Sequence, residues 1–194
     1  MSVLVKDLVI GYWAKDPVNR GINLSVADGE MVLLKGPNGS GKTTFLKTLA
    51  GLIPPLAGSF YAPGAVLVPT RIPKIKGFTV TEFIDTCLSF TSKAGNKKYS
   101  VSAVLEKLGL GELEKRDIST LSDGQFQKVC ICPAVASGKK LLLLDEPTAF
   151  LDADSKVQLM EFLKSLKATI LLSSHDLAVC EPYCDQTITF QNIR

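Results

Sequence analysis

The sequence predicts an α/β fold, in which a mostly parallel β-sheet is covered by helices and carries an antiparallel β edge and an inserted helical lobe. Short apolar runs alternate with segments of helical periodicity, which is typical of a parallel sheet covered on both faces. A stretch of purely helical periodicity between Thr79 and about Glu114 interrupts this alternation. The 194 residues, of which 46% are apolar, fit a single domain with ample core.

Apolar runs and turn residues place the elements in chain order. The first helix, over residues 43–52, has helical periodicity and ends before Pro54 and Pro55, because proline cannot continue a helix. Each predicted strand is a short, mostly apolar run bounded by turn residues. The predicted strands are residues 3–10, 22–26, 31–34, 65–68, 141–144, 169–172 and 186–190. Three further core helices are predicted: one follows Ser122 and runs to Ala136, one lies near residues 155–166, and one precedes the last strand.

The helical lobe lies between two halves of the core. A polar loop separates its helices and carries Lys93, Lys97 and Lys98. We interpret this loop as a solvated surface, because no aromatic residues are interleaved with the lysines as in a nucleic-acid patch. The single domain therefore divides into a core of residues 1–70 and 125–194 and a helical lobe of residues 71–124.

Composition and charge exclude several classes of protein. The net charge is only +3, from 22 basic and 19 acidic residues, so no nucleic-acid partner is expected. No apolar run approaches the roughly 18 residues that a membrane-spanning helix needs, and we expect no export signal. The five cysteines are odd in number and interleaved with apolar residues, which predicts reduced thiols in the cytoplasm rather than disulfides or a metal site.

A phosphate-binding loop is predicted where GPNGSGKTT satisfies the pattern GxxxxGK[ST]. The loop follows an apolar strand and precedes a helix, so its backbone N–H groups can surround an anion at the positive end of that helix. Lys42 would reach the β- and γ-phosphates of a nucleotide, and the Thr43 hydroxyl would take a Mg²⁺ position. The predicted nucleotide-binding residues of the loop are Gly36, Pro37, Asn38, Gly39, Ser40, Gly41, Lys42, Thr43 and Thr44.

Two carboxylates, Asp145 and Glu146, follow the predicted strand Leu141–Leu144. They emerge at the carboxyl end of this strand, where ligands bind in open parallel sheets. Asp145 suits Mg²⁺, held through water, and Glu146 suits general-base work on an attacking water. An acidic pair after a strand is weak on its own, but together with the phosphate loop it predicts a site for nucleotide hydrolysis.

A further sequence, LSDGQ, begins at Leu121, and with it the chain resembles a known family. GPNGSGKTT, LSDGQ, LLLLDEPTAFLD and SSHD, in that order, resemble the ATP-binding cassette (ABC) ATPases over nearly the whole chain. LSDG and PTAFLD look most like the ATPase subunits of iron-chelate, haem and cobalamin importers. The resemblance implies a P-loop nucleotide-binding core that hydrolyses ATP to ADP and phosphate with Mg²⁺.

The resemblance also implies that two such chains pair head to tail when ATP is bound. Each ATP would lie between the phosphate loop of one chain and Ser122 and Gly124 of the other. Ser122 is predicted as the N-cap of the next helix, so its hydroxyl, the Gly124 amide and the positive helix end make a second anion site. Asp123 replaces the more usual glycine and would cost ATP affinity unless its charge is solvated or paired.

Further residues are assigned by the same resemblance. His175, the only histidine, matches the switch histidine that contacts the γ-phosphate and orients the attacking water. Asp152 matches the loop that crosses the dimer interface, and Tyr12 the aromatic residue that stacks on adenine, with Trp13 as the competing candidate. Thr70 stands where the family has a glutamine that helps to hold Mg²⁺ and reports on the membrane partner. Its shorter side chain leaves coupling, and even turnover, open to question.

ATP-driven dimerisation would power transport through separate transmembrane permease subunits. The chain would then be cytoplasmic and peripheral on the membrane, docking through the groove between core and helical lobe. Two alternatives stay open. One is a non-transport ABC ATPase without a membrane partner, and the other is a cassette that binds ATP with weak turnover as a regulatory switch, for which Thr70 is the best support.

Overall fold

The computed structural model describes residues 2–91 and 99–191, so the predicted loop with Lys93, Lys97 and Lys98 lies outside the described residues. Strands and helices alternate through most of the chain, as predicted. The strands are β1 (Val3–Ile10), β2 (Asn19–Val26), β3 (Met31–Lys35), β4 (Ala57–Tyr61), β5 (Ala65–Val68), β6 (Leu141–Asp145), β7 (Thr169–Ser173) and β8 (Gln186–Thr189). The helices are α1 (Lys42–Leu49), α2 (Val80–Thr91), α3 (Val101–Lys107), α4 (Asp123–Ala136), α5 (Ala153–Ser165) and α6 (Leu177–Cys180).

The strands of the described residues form two sheets. The larger sheet is parallel throughout, in the order β5-β6-β7-β3-β8, and the smaller is antiparallel, in the order β2-β1-β4. The predicted parallel core and antiparallel β edge are therefore confirmed. Because parallel strands end at the same edge of a sheet, the segments that follow β3, β6 and β7 meet there.

Strand β4 was not predicted from the sequence. Its residues are mostly exposed and show no apolar alternation, and the strand is recognised only by its antiparallel pairing with β1. Gly58 has a φ of 79°, and a Cβ at this position would lie 2.3 Å from the carbonyl oxygen of Asp7, so this pairing requires a glycine. Two predicted boundaries were also wrong. Strand β2 begins earlier than residue 22 because Asn19 pairs with Ile10, and α1 ends at Leu49 rather than residue 52.

The core consists of apolar residues packed on both faces of the parallel sheet. Strand β6 is buried along its whole length, and its leucines alternate between the two faces. Leu142 and Leu144 belong to the cluster on one face, and Leu141 and Leu143 to the cluster on the other. This arrangement explains why the strand is a continuous apolar run rather than an alternating one.

The helical lobe is formed by α2 and α3 packed against α4. The rings of Phe83 on α2 and Phe126 on α4 lie with their centroids 5.5 Å apart, and both side chains are buried. Helix α4 continues from the lobe into the core, where it lies beside β5. No helix within residues 2–91 and 99–191 is long and apolar enough to cross a membrane.

Within the described residues, the five cysteines are thiols rather than disulfides. Burial raises the pKa of the Cys130 thiol to about 12 and that of Cys184 to about 12 as well. A thiol with a raised pKa is a poor nucleophile and a poor metal ligand near neutral pH, because the thiolate is the reactive form. These cysteines therefore act as small apolar residues of the core.

Phe45 and Phe90 offer a matched test of this core. Phe45 in α1 is fully buried, with its ring centroid 5.3 Å from that of Phe190, whereas Phe90 is 85% exposed. We expect Phe45→Ala to lower the free energy of unfolding by about 3–5 kcal/mol, because it leaves a cavity. Phe90→Ala should change it by no more than about 0.5 kcal/mol. Urea unfolding measures both values, and equal midpoints for the two variants would contradict the assignment of the core.

Candidate functional site

The phosphate loop connects the end of β3 to the start of α1 and lines a cleft of about 700 Å³. Gly36 and Gly41 have φ angles of 150° and 100°, which favour glycine. A Cβ at Gly36 would lie 2.3 Å from the carbonyl oxygen of Phe190, so the loop approaches the segment after β8 too closely for a side chain. Gly36 and Pro37 do not line the cleft, whereas the loop residues that do are Asn38, Gly39, Ser40, Gly41, Lys42, Thr43 and Thr44.

Lys42 lies across the loop. Its Nζ donates hydrogen bonds to the carbonyl oxygens of Gly36 at 2.7 Å and Pro37 at 3.1 Å. Burial lowers the pKa of the Lys42 ammonium, and the carboxylates of Glu146 and Asp145 oppose this effect. The ammonium is therefore partly desolvated and bonded to neutral carbonyl groups, which makes it available to a more strongly charged acceptor such as phosphate.

Three hydroxyl groups converge on the buried carboxylate of Asp145. The Thr43 hydroxyl donates to its two oxygens at 3.0 and 2.9 Å, the Thr70 hydroxyl donates at 2.8 Å, and the Ser173 hydroxyl donates at 2.8 Å. The structure thus brings together Thr43, Thr70 and Asp145, the residues predicted to hold the metal. Sequence reasoning missed Ser173, although it ends β7 opposite Asp145 in the strand register. Carboxylate and hydroxyl oxygens are the donors that Mg²⁺ prefers, so the residues present fit that ion.

Glu146 and His175 form a second pair in the same cleft. Glu146 has a left-handed φ of 52°, and its backbone N–H donates to the hydroxyl of Ser173 at 3.0 Å. The backbone N–H of His175 donates to Glu146 Oε2 at 3.2 Å, and His175 Nε2 lies 3.5 Å from Oε1. Glu146 Oε1 is buried without a hydrogen-bond partner within the described residues. Glu146 lines the cleft, and its role as a general base stays a prediction.

Burial raises the pKa of the Glu146 carboxyl, while the nearby His175 and Lys42 oppose that rise. A raised pKa brings a carboxylate closer to the range in which a general base works well near neutral pH. The shift therefore agrees with the role predicted for Glu146.

Tyr12 and Trp13 are both exposed aromatic residues, 56% and 75% exposed respectively. Tyr12 lines the cleft, and Trp13 does not. A large exposed ring beside a polar cleft is available to stack on a planar base. Of the two aromatic candidates, Tyr12 is therefore the better placed, and its role stays a prediction.

Ser122 caps helix α4, as predicted. Its hydroxyl accepts from the Gln125 backbone N–H at 3.1 Å, and its own backbone N–H donates to Gln125 Oε1 at 3.0 Å, which completes a capping box. The carboxylate of Asp123 is paired with Lys74 Nζ at 2.7 Å, so its charge is compensated. Neither Ser122 nor Gly124 lines the cleft, and the structure does not bring them to the phosphate loop of the same chain.

Asp152 also lies outside the cleft. Its carboxylate caps α5 by accepting from the backbone N–H of Ser155 at 2.8 Å and from the Ser155 hydroxyl at 3.1 Å. This capping explains an aspartate at that position within one chain. The predicted place of Asp152 at a dimer interface stays a prediction.

Two groups of residues near the cleft were missed by sequence reasoning. Arg71 and Phe150 both line the cleft, and the Arg71 guanidinium lies 5.7 Å from the centroid of the Phe150 ring. Behind His175, the carboxylate of Asp176 accepts from the Thr148 hydroxyl at 2.8 Å and pairs with Lys156 at 2.8 Å. The sequences PTAFLD and SSHD contain most of these residues, but no local pattern places them in contact.

Comparison with known proteins agrees with this geometry. The family described as ABC transporter matches residues 19–149. The Bacillus subtilis protein named "Uncharacterized ABC transporter ATP-binding protein YfmM" is 41% identical in an alignment of 174 residues that covers 88% of this chain and 32% of that protein. The zinc import ATP-binding protein ZnuC of Cereibacter sphaeroides is 34% identical in an alignment of 187 residues that covers 90% of this chain and 73% of ZnuC.

The chain belongs to the ABC transporter family. It spans about a third of the length of YfmM but most of the length of ZnuC. The iron(3+)-hydroxamate import ATP-binding protein FhuC of Bacillus subtilis is 32% identical over 200 residues, covering 91% of this chain and 74% of FhuC. A solved ATP-binding subunit of an ABC transporter superposes with a TM-score of 0.84 at 26% identity, over 100% of this chain and 89% of that one. The predicted P-loop fold and the resemblance to importer ATPases are thus confirmed, and the chain is an ABC ATPase.

The raised pKa of Glu146 predicts a pH-dependent stability of this ABC ATPase without nucleotide. A carboxyl whose folded-state pKa is raised stabilises the fold below its ordinary pKa of 4.5, and this contribution is lost as the pH rises through the folded-state value. Glu146→Gln should therefore raise the thermal unfolding midpoint near neutral pH. The gain should shrink as the pH falls through the raised folded-state value and should be absent below 4.5.

Glu82→Gln is the control for this prediction. Hydrogen bonds from Thr79 lower the pKa of Glu82, so its contribution to stability is present near neutral pH and is lost as the pH falls through the folded-state value. Its substitution should lower the midpoint near neutral pH. Thermal scans between about pH 3 and pH 8 compare the two variants with the parent, and the same sign of change for both would contradict the assignment.

Proposed function

We propose that the chain binds MgATP in the cleft and hydrolyses it as half of an ATP-bound homodimer that powers transport through separate membrane subunits. The observation that carries this proposal is the convergence of Thr43, Thr70 and Asp145 beside Lys42, at the carboxyl edge of the parallel sheet. Oxygen ligands for a metal thus lie next to an ammonium for the phosphates. A metal-bound triphosphate needs both.

Mg²⁺ would be held by the Thr43 hydroxyl and, through water, by Asp145, with Thr70 as a further oxygen ligand. When bound, the ion neutralises charge that develops on the phosphate oxygens. The Thr70 hydroxyl already reaches the Asp145 carboxylate at 2.8 Å, which supports a place for it in this set despite its short side chain.

The remaining roles belong to charged residues of the cleft. Lys42 would exchange its two loop carbonyl acceptors for phosphate oxygens. The oxygen of a water attacks the γ-phosphorus, its proton passes to Glu146, and the bond from the γ-phosphorus to the bridging oxygen breaks to give ADP and phosphate. His175 contacts the Glu146 carboxylate through its backbone and its ring, so it positions the base and lies within the cleft to orient the water.

A second chain would complete each site. Ser122 and Gly124 lie outside the cleft of their own chain, and at the start of α4 they would bind the phosphates of the partner's nucleotide. The Ser122 hydroxyl uses its oxygen to accept from Gln125, which leaves its O–H free to donate to a phosphate. The pairing of Asp123 with Lys74 compensates the negative charge that would oppose this contact. These features support a head-to-tail homodimer with ATP between the two half-sites.

The names of the relatives suggest the transport partner and the cargo. ZnuC and FhuC are named as import ATP-binding proteins for zinc and for iron(3+)-hydroxamate. We therefore assign the chain to the cytoplasmic face of a membrane, bound to permease subunits, with a metal ion or metal chelate as cargo. In this proposal, a separate membrane subunit supplies the path across the bilayer.

ATP binding should depend on Lys42. Lys42→Ala removes a charge-assisted hydrogen bond to phosphate, which should cost about 1.5–3 kcal/mol, or roughly ten-fold to over a hundred-fold in the Kd for MgATP. Lys47→Ala makes the same change later in α1, away from the cleft, and should leave the Kd within about two-fold of the parent. Titration calorimetry measures both. Equal MgATP affinity of Lys42→Ala and the parent would show that the loop does not bind the nucleotide.

The homodimer should accumulate in Glu146→Gln with MgATP, because the amide keeps the shape of the site but cannot accept the proton. Adding Ser122→Arg should abolish this dimer and leave ATP binding by the monomer largely intact, since Ser122 serves the partner's nucleotide. Size-exclusion chromatography with light scattering, with and without MgATP, measures the assembly, and phosphate release measures turnover.

The outcomes separate the candidate functions. A Glu146→Gln protein that stays monomeric with ATP bound rejects the sandwich dimer for the isolated chain. A parent that dimerises with MgATP but releases no phosphate favours the regulatory switch with weak turnover, the second candidate, which Thr70 supports.

A further inference from the structure

Asn19 is a buried polar residue to which the chemistry above gives no role. It is only 7% exposed and lies at the start of β2, where it pairs with Ile10. Its Nδ2 donates to the carbonyl oxygens of Ser40 at 3.0 Å and Gln191 at 3.1 Å, and its Oδ1 accepts from the Arg20 backbone N–H at 2.8 Å. Both N–H groups of the amide are therefore used. A buried amide is costly unless its hydrogen bonds are made, and here they all lead to backbone.

The hydrogen bond to Ser40 holds one peptide of the phosphate loop. Ser40 and Gly41 line the cleft and Asn19 does not, so Asn19 contacts the loop from behind. The peptide between Ser40 and Gly41 is planar and trans, and its C=O and N–H point in opposite directions. With the carbonyl held on Asn19, the Gly41 N–H is turned toward the cleft. Within the described residues this N–H has no protein acceptor.

Gly41 is the position in the loop where such an anchor is needed. Its φ of 100° lies in the region that glycine enters freely, so the preceding peptide can rotate at little cost. The backbone of Gly41 packs against Val18 and Asn19, and a Cβ would lie 3.0 Å from Val18 Cγ1 and 3.5 Å from Asn19 Cβ. The side chain of Asn19 therefore holds a peptide that the local sequence leaves free to turn.

The second N–H of Asn19 ties the loop to the segment after β8. This segment already approaches the loop closely, because the Phe190 backbone N–H donates to the Lys35 carbonyl at 2.7 Å. Through Asn19, the start of β2, the phosphate loop and Gln191 are joined by one side chain. The loop can then shift only together with these neighbours.

We propose that Asn19 is a positioning residue that holds the Gly41 N–H toward the phosphates of the bound nucleotide. The inference rests on the proposed function, since it takes MgATP as the anion in the cleft. Asn19 lies outside the phosphate-loop pattern, and in this proposal it orients one hydrogen-bond donor of the loop, the Gly41 N–H. A merely structural Asn19 would stabilise the fold without affecting this donor.

Two variants and one control test the proposal. Asn19→Asp keeps the shape of the side chain but cannot donate, and Asn19→Leu removes the donors without adding a charge. Both should raise the Kd for MgATP about ten-fold or more. Asn23→Asp makes the same chemical change in the same strand at an exposed site, where Asn23 bonds Asp7 and Gly21, and should leave the Kd within about two-fold.

The NMR resonance of the Gly41 amide proton separates the two roles of Asn19, because a purely structural role would leave this resonance unchanged. In ¹⁵N-labelled parent protein, this proton should shift downfield when MgATP binds. In the two Asn19 variants it should already be displaced without nucleotide and should respond less to MgATP. Thermal unfolding of the variants is followed in parallel, and a lower midpoint with an unchanged Gly41 response would assign Asn19 a structural role only and overturn the proposal.

The remaining outcomes are also decisive. A parent that binds MgATP, together with an Asn19→Leu variant of unchanged affinity, overturns this inference and leaves the proposed function intact. A parent that binds no MgATP overturns the proposed function itself. Should both variants fail to fold, the parent decides alone: a Gly41 amide proton that does not respond to bound MgATP rejects the positioning role, and one that shifts downfield supports it.

Discussion

The buried carboxylate of Asp145 accepts hydrogen bonds from the hydroxyls of Thr43, Thr70 and Ser173, and the arrangement of the cleft depends on these bonds. The three donors come from α1, from the segment after β5 and from the end of β7. A buried carboxylate without partners would be strongly destabilising, so each donor segment is held at the same edge of the sheet. One charge thus gathers three parts of the chain around the place where the nucleotide would bind.

The order of the parallel strands makes this convergence possible. Strand β6 lies between β5 and β7, and β3 lies on the other side of β7. The segments after these four strands therefore emerge side by side, bringing Thr70, Asp145, His175 and the phosphate loop to one edge. The apolar residues of β6, buried on both faces, keep the strand at the centre of this group. Burial of the core and placement of the charged site are in this way two results of one topology.

The predicted site residues lie on two separate surfaces of the chain, the cleft and the start of α4. The carboxylates of Glu146 and Asp145 act on the pKa of Lys42, and Lys42 acts in turn on the pKa of Glu146. The capped start of α4 lies outside the cleft of the same chain. We propose that this helix start also binds phosphate. In the proposed homodimer, the cleft of one copy and the start of α4 of the other would together surround the triphosphate.

The sequence by itself determined the residue types of the site and most of the elements that carry them. The glycine-rich loop, the acidic pair after four leucines and the serine cap of α4 follow from local patterns, because turns, buried strands and helix caps depend on neighbouring residues. Only the tertiary structure decided that β4 pairs with β1, that Ser173 and Thr70 reach Asp145, and that Asn19 holds the Ser40 carbonyl. These contacts join residues distant in sequence, and side-chain hydrogen bonds between distant residues follow no periodicity. They form because burial leaves a polar group no water to bind, so the fold has to bring it a partner.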